Sequence, residues 1–232
     1  MDYPILILHG WGAGSKHWGR VKSFLENRGY KVFSPDLPGF GQNPPPNVAW
    51  NIDNYREWVR KYCEDNNLPQ VFLLGHSFGG SVAVKFTVKY PDKVQKLVLI
   101  DAAGIRAKKA AKEQKDLPYF LSKFSWLPGY NIFRKLAYKI FYPNSDYPAL
   151  EGVMKETYLN VIGEDISNDF AYVTPPTMLI WGEKDMITPI SHANFIKERI
   201  KNSRLEILPG IGHDSNSECP EKLAEITVNF LK

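Results

Sequence analysis

Six short apolar runs alternate with segments of helical spacing along this chain, and the alternation restricts its fold more than any other feature. The runs are Pro4–Leu8, Lys31–Ser34, Val71–Leu74, Leu97–Ile100, Thr177–Trp181 and Leu205–Leu208. Most are continuously apolar, as expected for strands of a parallel sheet that helices cover on both faces. Between the runs, apolar residues recur every three or four positions, as in Trp18, Val21 and Leu25. The pattern predicts an α/β fold with a mostly parallel sheet of about six strands and helices on both faces.

Residues 105–170 interrupt the alternation. They contain no strand-like run, are rich in aromatic residues, and are divided into short pieces by Pro118, Pro128, Pro143 and Pro148. We expect a mostly helical cap insertion here, with residues 1–104 and 171–232 forming the core. Between residues 105 and 150, nine basic residues stand against three acidic ones. This charge favours a solvated helical face, with a surface for anionic substrates or lipid headgroups as the alternative.

Composition excludes several classes of protein. Hydrophobic residues make up 44% and charged residues 23% of the chain, as in ordinary soluble domains. The apolar runs are far shorter than the ~18–20 residues of a membrane span, so we expect no stable membrane insertion. A net charge of +4 is too small to indicate a nucleic-acid partner. With no secretory signal pattern and no metal or disulfide motif around Cys63 and Cys219, the chain is expected to be cytoplasmic and metal-free.

The clearest chemical motif follows the third apolar run. Gly75-His76-Ser77-Phe78-Gly79 lies between a predicted strand and a helix expected from about Ser81. A G-x-S-x-G pattern in this setting predicts a strained turn that exposes the Ser77 hydroxyl, with Gly75 and Gly79 letting the backbone pass close by. At the start of a helix, the Phe78 N–H is free to donate to an oxyanion.

A second glycine-rich turn, His9-Gly10-Trp11-Gly12, follows the first strand and precedes a helix expected from about Lys16. It can direct the Trp11 N–H to the same point as the Phe78 N–H, and two such donors form an oxyanion hole. His9 and His76 lie beside the two turns, so we expect their rings, together with Gly10, to support these loops.

A serine nucleophile needs a base, and the base needs a carboxylate to orient it. His213 lies on a glycine-rich loop after the last apolar run and is the favoured base, because His17 and His192 fall at predicted helix starts.

Three acidic residues are candidates for the carboxylate. Asp185 follows the run Thr177–Trp181, Asp101 directly ends Leu97–Ile100, and Glu183 is a weaker third candidate. Asp185 is favoured, although Asp101 also keeps the Ser-Asp-His order along the chain.

These motifs resemble those of the α/β-hydrolase superfamily, in particular its small capped esterases and carbon–carbon-bond hydrolases. The matching segments are residues 9–12, 36–41, 75–80, 182–185 and 212–213. The resemblance implies Ser77 as nucleophile, His213 as base and Asp185 as its partner. It also implies an oxyanion hole from the Trp11 and Phe78 amides and a structural role for Asp36.

The chain departs from the family pattern in two ways, one of which bears on the reaction class and the other on the form of the sheet. A serine at the nucleophile position argues against the epoxide hydrolases and haloalkane dehalogenases of the superfamily. The antiparallel hairpin that usually precedes the His-Gly strand is missing, which predicts a reduced, all-parallel sheet.

The expected activity is hydrolysis of small to medium hydrophobic carboxylic esters through an acyl-enzyme, with no metal or organic cofactor. The aromatic residues of the insertion indicate either an apolar substrate pocket or packing of the cap on the core. Ser77, His213 and Asp185 would equally serve a carbon–carbon-bond hydrolase, thioesterase, lactonase or perhydrolase. A weakly catalytic protein that binds a small hydrophobic ligand is the remaining alternative, and the oligomeric state does not follow from the sequence.

Overall fold

A single six-stranded sheet organises the computed structural model, which describes residues 3–106 and 150–232. Its strands are β1 (Ile5–Leu8), β2 (Val32–Phe33), β3 (Val71–His76), β4 (Val94–Ile100), β5 (Thr177–Gly182) and β6 (Ser203–Leu208). Their order is β2-β1-β3-β4-β5-β6, and all neighbours pair in parallel. The predicted parallel sheet of about six strands is therefore confirmed.

Seven α-helices accompany the sheet within the described residues. They are α1 (Gly19–Glu26), α2 (Ile52–Asp65), α3 (Phe78–Lys89), α4 (Gly152–Gly163), α5 (Ile190–Arg199), α6 (Ser215–Glu218) and α7 (Pro220–Leu231). The described ranges also contain three short 3-10 segments, Ser15–Trp18, Pro91–Lys93 and Asp169–Tyr172. None of the helices described has both the length and the apolar character that crossing a membrane requires.

The strand side chains divide between two hydrophobic layers. Leu6 and Leu8 of β1 pack in the layer formed with α2, α3 and α5. Ile5 and Ile7 point to the opposite layer, formed with α1 and α7. All four are fully buried, which explains why β1 is continuously apolar rather than alternating. Each such side chain stabilises the fold by about 1.5–3 kcal/mol relative to an exposed one.

One predicted helix start was wrong, and another was correct only for the onset of helical turns. Helix α3 begins at Phe78 rather than near Ser81, because the Ser77 turn leads directly into the helix and Gly79 and Gly80 are helical. The helix expected from about Lys16 begins as a 3-10 segment, and the α-helix starts only at Gly19.

The predicted cap insertion is described only in part. Its described segments form α4 and the 3-10 segment before β5 and contain no strand, whereas residues 107–149, with most of the basic and aromatic residues, lie outside the described residues. Helix α4 is held to the chain before α2 by hydrogen bonds from the Trp50 N–H to Thr157 Oγ1 (3.0 Å) and from Asn160 Nδ2 to the Trp50 carbonyl (3.2 Å). At its carboxyl end, Glu164 accepts the Ile52 N–H at 3.3 Å. These contacts place α4 on the same side of the sheet as α2.

Candidate active site

Ser77 occupies the sharp turn between β3 and α3. Its backbone is in the left-handed region, with φ 50° and ψ −118°, a conformation that costs a non-glycine residue about 1–3 kcal/mol. The flanking glycines permit the turn, because a Cβ at Gly79 would lie 2.2 Å from the Leu8 carbonyl oxygen and one at Gly75 2.6 Å from the Gly79 oxygen. The strand–turn–helix geometry predicted from G-x-S-x-G is thus present, and it sets Ser77 at the amino end of α3.

Three loops at the carboxyl edge of the sheet bring Ser77, His213 and Asp185 together. Ser77 Oγ lies 2.9 Å from His213 Nε2. His213 Nδ1 lies 2.7 Å from Asp185 Oδ2. Because the carboxylate only accepts hydrogen bonds, Nδ1 carries the proton and Nε2 accepts from the Ser77 hydroxyl. The arrangement suits transfer of the Ser77 proton to His213.

The Asp185 carboxylate is oriented by its own loop. Its Oδ1 accepts the N–H groups of Ile187 (2.7 Å) and Thr188 (2.9 Å), and the Thr188 hydroxyl donates to Oδ2 at 2.6 Å. Burial opposes ionisation of Asp185, but the hydrogen bonds from His213 and Thr188 and the charge of His213 lower its pKa below the ordinary value. Asp185 is therefore a carboxylate at neutral pH.

The pKa of His213 is shifted in the opposite direction, above the ordinary value for an imidazole. Burial disfavours its charged form, yet the hydrogen bond to Asp185 and the negative charges of Asp185, Asp101 and Asp214 outweigh burial and raise its pKa. An imidazole that gains a proton during reaction is stabilised by the same carboxylates.

The other two candidate acids do not contact His213 in the described structure. Asp101 accepts the Gly182 N–H at 2.7 Å and the Ser215 hydroxyl at 2.9 Å. Glu183 accepts the Gly210 N–H at 2.8 Å. Of the three carboxylates weighed from the sequence, only Asp185 lies within hydrogen-bonding distance of the His213 imidazole.

The amides predicted to bind an oxyanion flank the Ser77 turn. A Cβ at Gly10 would lie 3.3 Å from Ser77 Cβ, so the loop that carries Trp11 runs directly beside the serine. Phe78 is the first residue of α3, where N–H groups lack helical acceptors. Within residues 3–106 and 150–232, neither the Trp11 nor the Phe78 N–H has an acceptor, so both are available to a ligand.

The two histidines beside the glycine turns are buried and form hydrogen bonds to loops around the candidate site. His9 Nδ1 donates to the Gly10 carbonyl at 2.8 Å, and its Nε2 accepts the Leu37 N–H at 2.9 Å. His76 Nε2 donates to the His213 carbonyl at 2.9 Å. Burial, and then the nearby charge of His213, lower the pKa of His76 to about 4, so this ring is neutral at physiological pH.

The two remaining histidines lie elsewhere. His17 accepts the Gly14 N–H at 3.1 Å within the first 3-10 segment, and His192 lies in the first turn of α5. Asp36 accepts the Ser15 N–H at 2.5 Å and the Gln42 N–H at 2.9 Å, so it links two loops rather than contacting Ser77.

An aromatic cluster next to the Ser77 turn was not found from the sequence. The Trp11 ring lies 4.8 Å from Phe40, 5.4 Å from Phe78 and 5.2 Å from Tyr158 of α4, measured between ring centroids. Tyr158 comes from a distant helix, so no local pattern could have assigned it to the site. Thr188 was also missed, although an aspartate side chain that accepts backbone N–H groups two or three residues later is a known local pattern.

No group of three or more histidine, cysteine, aspartate or glutamate side chains within the described parts of the chain is arranged to hold a metal ion.

Comparison with known proteins identifies the family. The sequence profile of the alpha/beta hydrolase fold matches residues 3–136, which is more than half of the chain. The chain belongs to the α/β-hydrolase fold family. This α/β hydrolase is 23% identical to Lipase 1 of Psychrobacter immobilis over 238 residues, covering 96% of this chain and 74% of the lipase.

Solved structures of other α/β hydrolases share the fold. An esterase from Exiguobacterium antarcticum superposes with a TM-score of 0.78 at 22% identity, over 99% of this chain and 92% of the esterase. A meta-cleavage product hydrolase from Pseudomonas fluorescens IP01 superposes with a TM-score of 0.72 at 19% identity, over 99% of this chain and 90% of that protein.

Proposed function

We propose that this α/β hydrolase cleaves carboxylic esters of small to medium hydrophobic substrates through an acyl-enzyme on Ser77. One observation carries the proposal: Ser77 Oγ, His213 and Asp185 form a continuous hydrogen-bonded array, with distances of 2.9 and 2.7 Å. A hydroxyl that donates to an imidazole, itself held by an ionised carboxylate, is the arrangement that activates serine as a nucleophile.

In the first half-reaction, Ser77 Oγ attacks the ester carbonyl while His213 Nε2 takes the hydroxyl proton. The carbonyl oxygen becomes an oxyanion that accepts hydrogen bonds from the free N–H groups of Trp11 and Phe78. The His213 imidazolium, stabilised by Asp185, then returns its proton to the alcohol oxygen as the carbon–oxygen bond breaks. The acyl group remains on Ser77 as an ester.

The second half-reaction uses the same groups. His213 Nε2 takes a proton from a water molecule, whose oxygen attacks the acyl carbonyl. Collapse of the oxyanion releases the carboxylic acid, and the imidazolium returns its proton to Ser77 Oγ. Side chains and backbone of this chain supply every proton transfer and every charge contact, so the steps need no cofactor.

The proposed substrate class is supported by the surroundings of the array. The partly exposed rings of Trp11 and Tyr158 provide apolar surface beside the two free amides, and Phe40 and Phe78 are buried against Trp11. Aromatic side chains offer a large contact area to a hydrophobic acyl or alcohol group. The sequence relationship to a lipase points to the same type of bond. In this proposal residues 105–170, including α4, form a cap that supplies Tyr158.

Ser77→Ala provides the first test. We expect the variant to lose hydrolysis of a short-chain aryl ester by at least about 10³-fold while circular dichroism and thermal unfolding show an intact fold. Ser191→Ala, at an exposed position in α5, is the matched control and should keep full activity. Turnover by Ser77→Ala at the wild-type rate would contradict the proposal.

Covalent labelling and a substrate panel complete the test. A fluorophosphonate should modify Ser77 of the wild-type protein, as mapped by mass spectrometry. Comparing aryl esters with thioesters, lactones and vinylogous diketones then assigns the bond that is cleaved. If the diketone is the preferred substrate, the ester assignment is wrong although the same three residues act.

A further inference from the structure

The side chain of Asp101 is a fully buried carboxylate that the mechanism above does not use. It follows directly after β4, with 0% of its surface exposed. Its φ of 45° lies in the left-handed region, which is costly for any residue with a side chain. A buried ionisable group in a strained backbone conformation persists only where surrounding contacts hold it.

The Asp101 carboxylate joins two loops of the candidate site. Its Oδ1 accepts the N–H of Gly182, three residues before Asp185, at 2.7 Å. Its Oδ2 accepts the hydroxyl of Ser215, two residues after His213, at 2.9 Å. Each oxygen therefore holds a different loop, one with the acid and one with the base.

The backbone around Asp101 extends these contacts. The Thr188 hydroxyl, which donates to Asp185 Oδ2 at 2.6 Å, also lies 3.1 Å from the Asp101 carbonyl oxygen.

On the other side, the Ser77 N–H donates to the Ile100 carbonyl and the Ala103 N–H donates to the Ser77 carbonyl, each at 3.0 Å. Residues 100–103 thus contact all three loops that carry the hydrogen-bonded array.

We propose that Asp101 is a positioning residue, whose carboxylate fixes the Asp185 and His213 loops relative to the Ser77 turn so that the array is formed before substrate binds. The inference rests on the proposed function. Two acceptor oxygens, rather than a negative charge, do the positioning. Burial raises the pKa of Asp101 to about 7, so this carboxyl group is only partly ionised at neutral pH, which is compatible with a role that does not depend on its charge.

Two substitutions of Asp101 distinguish the effect of its hydrogen bonds from the effect of its negative charge. Asp101→Gly removes both acceptors but accommodates the positive φ, so backbone strain does not confuse the result. Small displacements of reacting groups can lower rates by about 10²-fold, and we expect a loss of that size in kcat, with KM changed less than about twofold.

Asp101→Asn provides the conservative rescue. Its Oδ1 still accepts from Gly182, and its Nδ2 donates to the Ser215 hydroxyl, which can also act as an acceptor. We expect this variant to stay within about fivefold of the wild-type kcat, a loss of no more than about 1 kcal/mol.

Ser215→Ala removes one of the two bonds and serves as the second test if Asp101→Gly fails to fold. We expect it to lower kcat less than Asp101→Gly, again with KM nearly unchanged. Wild-type kcat in Asp101→Gly would overturn the inference, as would a loss in Asp101→Asn equal to that in Asp101→Gly. If Asp101→Gly does not fold, wild-type kcat in Ser215→Ala would overturn it.

Ser77→Ala in the same assay distinguishes the two proposals. If Ser77→Ala retains turnover, the proposed function itself is wrong. If Ser77→Ala is inactive while Asp101→Gly matches the wild type, only the role of Asp101 is wrong.

Discussion

Replacing Asp185 by asparagine tests the electrostatic part of the mechanism most directly. Asparagine has the size of aspartate, and its Oδ1 can still accept the Ile187 and Thr188 amides. Its Nδ2 then takes the place of Oδ2, 2.7 Å from His213 Nδ1. A donor at this position favours the His213 tautomer with the proton on Nε2, which cannot accept the Ser77 proton.

The expected size of the effect has two parts. Unit charges about 4 Å apart attract by about 4 kcal/mol at an effective dielectric constant of 20, so losing the carboxylate destabilises the imidazolium of the transition state by roughly 10³-fold in rate. The wrong tautomer adds to this loss. A total reduction in kcat of about 10⁴-fold, or about 5.5 kcal/mol, follows for Asp185→Asn.

The pH profile of kcat/KM gives an independent readout. Because Asp185 raises the pKa of His213, its removal lowers that pKa, and the rise of kcat/KM with increasing pH should move to lower pH. Asp214→Asn is the matched control: it removes a neighbouring carboxylate that does not contact the imidazole and should lower kcat less than about tenfold. An Asp185→Asn variant within tenfold of the wild-type kcat, with an unmoved profile, would refute this reasoning.

Two further predictions concern stability. The pKa of buried His76 is about 4 in the folded protein, against 6.5 for an ordinary imidazole, so the unfolded chain binds more protons between these values and stability falls as pH decreases through this window. Between pH 7 and pH 5, urea unfolding of the wild type should lose about 2 kcal/mol more than that of His76→Gln, and equal losses would exclude His76 as the cause. In Gly79→Ala, the added Cβ would lie 2.2 Å from the Leu8 carbonyl oxygen. We expect at least about 3 kcal/mol of destabilisation in denaturant unfolding, whereas Gly163→Ala, where nothing lies near the added carbon, should cost less than about 1 kcal/mol.

The sequence predicted the sheet and the Ser77 turn well, because both depend on local patterns. Continuous apolar runs correspond to strands buried on both faces, as in β1 and β3. The G-x-S-x-G pattern describes a turn whose steric requirements are met within five residues, so it can be recognised without knowledge of the rest of the fold.

The remaining parts of the site depend on contacts between distant segments. Tyr158 reaches Trp11 from a helix almost 150 positions later, and Ser215 meets Asp101 across 114 positions. No periodicity or motif encodes such contacts. The start of α3 was also misplaced by a few residues, since Gly79 and Gly80 have low helix propensity and yet are helical beside Leu8.

The order of residues along the chain could not decide whether Asp101 or Asp185 is the partner of His213. Both aspartates end or follow neighbouring parallel strands, so both reach the same edge of the sheet, and both precede His213 in sequence. What separates them is the length of the connection. Asp101 follows its strand directly and stays buried beneath the loops, whereas Asp185 lies three residues beyond the end of β5 and reaches the level of the imidazole. In this chain the aspartate on the longer connection contacts the His213 imidazole, whereas the aspartate at the strand end accepts hydrogen bonds from Gly182 and Ser215 in the two loops above it.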